Sequence, residues 1–231
     1  MIPGTITALT FDCYGTLIDW ETGILRAFER LIGGGLAPEH RDDLIRSYAR
    51  IEREIEAGPY LPYRDVLALA ASRIAGEFGV SLRPGEQHAL AESVGDWPAF
   101  RETPPMLRAL KRKYRLAVLS NIDDDLFALS RPHLGVDLDE VVTAQQVRSY
   151  KPGRAHFDEA LRRLALEPGA LLHVAESRYH DIAPARSLGI ATVWVNRRPG
   201  GGPSASGESA AIPDREVRSL GELVEWLAPP G

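Results

Sequence analysis

Asp12 stands where an acid is out of place. It ends the apolar run Ile6-Thr7-Ala8-Leu9-Thr10-Phe11, and Cys13, Tyr14, Gly15 and Thr16 follow it. Other apolar runs also stop on polar groups. Leu116-Ala117-Val118-Leu119 precedes Ser120 and Asn121, Glu140-Val141-Val142-Thr143 comes shortly before Lys151, and Leu171-Leu172-His173-Val174-Ala175 precedes Glu176 and Asp181. Such groups could supply a carboxylate kept ionised by a lysine, or an oxygen-rich site for a hard cation. Each residue has a plain alternative. Asp12 suits a turn, Ser120-Asn121 a helix cap, Lys151 a solvated surface and Glu176 the start of a helix. The recurrence of polar groups at four run ends is what points to one site.

That reading depends on the elements that carry the runs. Short continuous apolar runs fit strands covered on both faces, as in a parallel sheet; 192–195, before Asn196, is a further one. Helices are expected over 105–112, 155–164 and 181–188, the last closed by Gly189, and over 220–227. Strands alternating with helices predict a doubly wound, mostly parallel α/β sheet, Rossmann-like in layout, whose ligands bind beyond the carboxyl ends of the strands. Residues from about 20 to 97 break the rhythm. Ile24, Leu25, Phe28, Leu31 and Ile32 follow helical spacing, as do Leu44, Ile45, Tyr48, Ile51 and Ile55, and Val66, Leu67, Ala70, Ile74 and Phe78. The expected organisation is an α/β core from 1–18 and 98–231 with a helical domain inserted over 19–97. Gly33, Gly34 and Gly35 are expected to turn between helices of the insert, and the Gly-, Pro- and Ser-rich stretch 199–209 to form a surface loop.

Bulk composition narrows the classes. At 231 residues and 44% hydrophobic, the chain can bury a large core. Its net charge of -5 offers no positive field for a phosphate backbone, so no nucleic-acid partner is expected. Cys13 is the only cysteine, which excludes an intrachain disulfide and a thiolate metal cage. Beside Asp12 it reads as a small buried filler rather than a nucleophile. No stretch reaches the ~20 apolar residues of a membrane span and no secretory signal is visible, so no membrane partner and a cytoplasmic location are expected.

The order D-x-Y-G-T, L-S-N, Y-K-P and then an acidic stretch ending in Asp181 resembles the haloacid dehalogenase superfamily over nearly the whole chain. The helical insert is similar to its cap domain. Asp12-Cys13-Tyr14-Gly15-Thr16 and Trp194-Val195-Asn196-Arg197 look most like its (S)-2-haloacid dehalogenases. The resemblance implies a hydrolase that converts short 2-haloalkanoic acids to 2-hydroxy acids through an ester on Asp12. Superfamily phosphatases place a second Asp two residues after the nucleophile, as general acid and base. Here that position is Tyr14, and a halide leaves without needing a proton. By the same resemblance Lys151 keeps Asp12 ionised, and Asp181 positions or activates the hydrolytic water. Thr16 supports the nucleophile, Ser120 binds the substrate carboxylate, Asn121 lies near the halide, and Tyr14 lines the pocket. Arg46 is the nearest match to the cap arginine that assists halide departure, with Arg50 and Arg53 on the same insert. Tyr63, with Tyr60, is expected in an aromatic wall or in packing between cap helices. A homodimer and a cap that moves over the site are further expectations.

Some residues depart from the pattern. Glu176 and Arg178 replace a small hydroxyl residue and an Asn, and Phe157 replaces a Tyr. No metal or other cofactor is expected. The alternative is Mg2+ held by Asp12, Glu176 and Asp181, as in a phosphatase, unless Arg178 neutralises Glu176. Hydrolysis of another small carboxylic acid by the same ester chemistry also stands, as does a binding protein without catalysis. The intact set Asp12, Ser120, Lys151 and Asp181 argues against the last.

Overall fold

The computed structural model describes residues 6–32, 34, 37–197 and 209–228. Of the expected turn at 33–35 only Gly34 is among them, and of the expected loop at 199–209 only Ser209; the rest of both lies outside the described residues.

Six strands, β1 (Ala8–Phe11), β2 (Arg115–Ser120), β3 (Glu140–Thr143), β4 (Leu171–Ala175), β5 (Ala191–Val195) and β6 (Arg215–Val217), form one sheet in the order β3-β2-β1-β4-β5-β6. Every neighbouring pair runs parallel. Strand periodicity sends alternate residues to opposite faces. Leu9, Phe11, Leu116, Val118, Leu172 and Val174 join one buried cluster, while Ala8, Ala117, Leu119 and Leu171 join another. Both faces are therefore covered, which is why apolar residues occupy successive positions in these strands. The chain steps from β1 out to β3 and then returns to place β4 on the other side of β1. That reversal opens a crevice beyond the carboxyl ends of β1 and β4, where Asp12 and Glu176 follow the two strands.

Among the described residues, every helix or strand between Trp20 and Trp97 is helical: α1 (Trp20–Leu31), α2 (Pro38–Glu56), α3 (Tyr63–Glu77), α4 (Ala89–Glu92) and two 3-10 turns. Asp19 caps α1, its carboxylate accepting from the Thr22 amide at 3.1 Å. The core helices are α5 (Thr103–Lys111), α6 (Asp124–Leu134), the short α7 (Ala144–Val147), α8 (Ala155–Leu164), α9 (Ala183–Ser187) and α10 (Leu220–Leu227). Helix α10 starts on Ser219, whose hydroxyl accepts from the Glu222 amide at 3.2 Å.

Three elements differ from expectation. The edge strand β6 has a single buried residue in three and shows no apolar run. Helix α6 carries Pro132 inside its last turn, which obscures its helical pattern. In place of one helix over 181–188 there is a π-helical turn, Arg178–Ile182, followed by α9. The Ser177 carbonyl accepts the amides of both Asp181 and Ile182, each at 3.2 Å. Pro184, which has no amide to give, sits in the first turn of α9. Among the described residues no helix is long and apolar enough to cross a membrane.

Candidate active site

The loop after β1 folds tightly back on itself. The Cys13 carbonyl accepts amides from Thr16, Leu17 and Ile18, at 3.3, 2.7 and 3.0 Å. Gly15 supplies the reversal with φ 96, a conformation that glycine takes without steric cost. The turn returns Thr16 to Asp12, and its hydroxyl donates to Asp12 Oδ2 at 2.8 Å. The same hydroxyl accepts the Glu176 amide at 2.9 Å, tying the end of β1 to the end of β4. Cys13 is buried and its thiol is pushed well up by that burial, in keeping with a filler.

Lys151 reaches into this turn from beyond β3. Its ammonium donates to Asp12 Oδ1 at 2.9 Å, to Asp181 Oδ1 at 2.6 Å and to the Leu119 carbonyl at 2.8 Å, which uses all three of its protons. Asn121 fixes the Lys151 backbone by accepting its amide at 2.7 Å and donating to its carbonyl at 3.2 Å. Burial lowers the Lys151 ammonium, but Asp12 and Asp181 outweigh it and hold the group above its ordinary range. Asp12 is shifted up by burial, against the opposing pull of Lys151.

Asp181 has a partner that no sequence motif marks, a histidine inside a strand. His173, inside β4, places Nε2 3.0 Å from Asp181 Oδ1 and Nδ1 2.9 Å from the Thr10 hydroxyl. An ionised carboxylate only accepts, so Nε2 carries the proton and Nδ1 accepts from Thr10. Burial raises Asp181, yet Lys151 and His173 together hold it below the usual carboxylate range. A carboxylate held that low is a weak base.

These groups form the floor of a cavity of about 80 Å³ beneath the inserted helices. Asp12, Tyr14, Ser120, Asn121, Lys151, Glu176 and Asp181 line it from the core, and Trp20, Tyr48, Glu52, Glu56 and Tyr63 from the insert. Among the described residues the Ser120 hydroxyl is buried without a hydrogen-bond partner. Tyr14 does not point its hydroxyl at Asp12; it bonds the Ser130 hydroxyl at 2.9 Å, and its ring meets Trp97 edge-on. Thr16 lies behind Asp12 rather than in the wall.

The arginine expectation is corrected. Arg46 is exposed and paired with Asp43 at 2.5 Å, and Arg50 lies on Glu54 and Glu77 at the surface. Helical spacing from the buried Leu44 and Tyr48 turns position 46 outward. Among the described residues that line the cavity there is no arginine, Arg53 included. The same helix presents Glu52 and Glu56 instead, one turn apart beside Tyr48, a position next to the apolar stripe that could have drawn notice. Tyr63 does line the cavity, whereas Tyr60 packs on Tyr150 and under Arg148. Phe157 is buried against His173, away from the cavity wall. Arg178 donates to the Ala211 carbonyl and lies over the Trp194 ring. His180, also unforeseen, lines the cavity and is pushed down to about 4 by burial.

Asp12, Glu176 and Asp181 do not fit a cation as a set. Among the described residues no three His, Cys, Asp or Glu side chains converge on a metal position, and the Lys151 ammonium bridges Oδ1 of two of the three.

A parallel sheet with an acid at the tip of its central strand, a lysine bridging that acid to another and a helical roof defines a hydrolase site of the aspartate-centred kind. The chain belongs to the haloacid dehalogenase-like hydrolases, whose family model matches residues 6–189. It is similar to an (S)-2-haloacid dehalogenase of Pseudomonas sp. (strain YL), 28% identical over 95% of this chain and 94% of that one. A crystal structure of an L-2-haloacid dehalogenase superposes with a TM-score of 0.79 at 26% identity, covering 96% of this chain and 100% of the other. A glyceraldehyde 3-phosphate phosphatase of Methanothermobacter thermautotrophicus is 36% identical over a shorter stretch, 42% of this chain and 44% of its own.

Proposed function

We propose that the protein hydrolyses the carbon–halogen bond of short 2-haloalkanoic acids through an ester on Asp12, without a metal. The observation that carries this reading is the pairing of Asp12 with Lys151 while Tyr14, at the usual acid position, turns its hydroxyl to Ser130. The arrangement offers a nucleophile with no carboxylic acid at position 14 to protonate a leaving group, which suits one that departs as an anion.

In the first step an Asp12 carboxylate oxygen gives an electron pair to C2, and the carbon–halogen pair leaves on the halide. Water then adds to the Asp12 carboxyl carbon and the bond from that carbon to the alkyl oxygen breaks. The released oxygen takes a proton and departs as the 2-hydroxy acid, with one proton left to solvent. Lys151 and Thr16 hold the two Asp12 oxygens and fix the direction of attack. The unpartnered Ser120 hydroxyl is the donor for the substrate carboxylate. Asp181, held by Lys151 and His173, orients the water.

Halide release from chloroacetate and (S)-2-chloropropionate, with and without EDTA, tests this. Release that ignores EDTA upholds it. Silence on both acids, with Mg2+-dependent release of phosphate from p-nitrophenyl phosphate, replaces it with the phosphatase reading that Glu176 in the cavity wall favours.

A further inference from the structure

Lys151 has no proton left to offer a substrate, and the cap side of the cavity presents acids. Glu52 Oε1 accepts from the Tyr48 hydroxyl at 2.7 Å and from the Tyr63 hydroxyl. One turn on, Glu56 Oε2 accepts from Asn121 Nδ2 at 3.2 Å. Around these carboxyls stand Trp20, its ring tilted 37° to that of Tyr48 with centres 5.3 Å apart, and Trp97. From the core side the Ser120 hydroxyl lines the same cavity, buried and, among the described residues, unpartnered. Acids therefore stand on both sides of the cavity: Asp12, Glu176 and Asp181 from the core, Glu52 and Glu56 beside aromatic rings from the cap.

We propose that Glu52 and Glu56 make the enzyme selective for 2-haloacids whose C2 substituent carries a hydrogen-bond donor, above all an ammonium group. This rests on the dehalogenase reading above. Glu52 Oε1 and Glu56 Oε2 keep their protein donors, but an alkyl group against the wall takes water from the second oxygen of each carboxyl and returns no hydrogen bond, and that loss opposes binding. An ammonium group satisfies them with three protons and is attracted by the faces of tryptophan and tyrosine. The substrate carboxylate, meanwhile, turns away from the acids toward Ser120. At a pH where Glu52 and Glu56 are ionised, a carboxylate placed against them would meet like charge, so the wall also sets which way round the substrate enters.

The test compares two substrates of one shape, 3-amino-2-chloropropanoate and 2-chlorobutanoate, which differ in an ammonium for a methyl group. The wild-type enzyme should favour the first by about tenfold or more in kcat/KM, the scale of one hydrogen bond to a charged group, with most of the difference in KM. Glu52→Gln and Glu56→Gln should each shrink that ratio. Equal rates, or a preference for 2-chlorobutanoate, would overturn the inference and leave the dehalogenase reading standing. Should neither acid release chloride, that reading fails, and calorimetry with the unreactive pair 3-aminopropanoate and butanoate then decides the selectivity. Tighter binding of 3-aminopropanoate upholds the acceptor wall, and equal or weaker binding overturns it.

Discussion

Asp12, Lys151, Asp181 and His173 act as one charge system, so each removal has its own signature. Asp12→Asn leaves the shape but removes the nucleophile, and turnover should fall by about four orders of magnitude or more. Turnover in H₂¹⁸O should place the label in the Asp12 side chain of the wild type, read by mass spectrometry of the peptide that carries it. Lys151→Met leaves two buried carboxylates facing each other; losing one partner of a buried pair costs about 3–5 kcal/mol, measurable by urea unfolding. The deficit should shrink in acid, where the carboxylates protonate. His173 touches neither cavity nor substrate and is a positioning residue. His173→Leu takes from Asp181 one of the two partners that hold its carboxyl low. The acidic limb of the kcat/KM profile should therefore move to higher pH. An unmoved limb with merely reduced kcat would leave His173 a packing residue.

At the scale of elements, the roof of the cavity depends on how closely α1 approaches the end of the insert. Gly23 packs so tightly against Trp97 that an added Cβ would lie 2.3 Å from its Cγ. Gly23→Ala must push the indole, and overpacking of this kind costs about 1–3 kcal/mol. Trp97 lines the cavity and meets Tyr14 edge-on at 5.6 Å. The substitution should therefore raise KM as well as lower the urea midpoint, and tryptophan fluorescence should report the displaced ring. A stability loss with KM unchanged would place the strain elsewhere in α1.

Over the whole molecule, two sets of buried acids pull the pH dependence of stability in opposite directions. Lys151 and His173 outweigh burial at Asp181, so its contribution is present above the ordinary aspartate value of 3.8 and is lost as pH falls below it. Burial raises Glu52 and Glu56, so the folded state holds their protons longer than the unfolded chain does. Their contribution is full below the ordinary glutamate value of 4.5 and declines as pH rises through their raised values. Stability should peak on the weakly acidic side. Glu52→Gln should flatten the decline in Tm as pH rises above the ordinary glutamate value of 4.5; an unchanged slope would mean that Glu52 is already ionised in the folded protein.

The apolar runs by themselves determined the parallel sheet, because strands buried on both faces carry apolar residues at successive positions and not only at alternate ones. Helical spacing likewise determined the all-helical stretch between Trp20 and Trp97, and the polar groups at the run ends named Asp12, Ser120, Asn121, Lys151 and Asp181. Those residues are legible because they sit where a regular pattern stops. The strand β6 and the π-helical turn were not, since neither carries a local apolar signal. Nor was the cap wall. Glu52, Glu56 and Arg46 share one helix, and only the docking of α2 decides which of them faces inward. Position 46 turns to solvent while 52 and 56 turn to the cavity, where Glu56 meets Asn121, 65 residues away in sequence. Local spacing fixes a face, but which face meets the core depends on packing between distant segments, and that is why tertiary structure alone decided that acids, and not arginines, close this site.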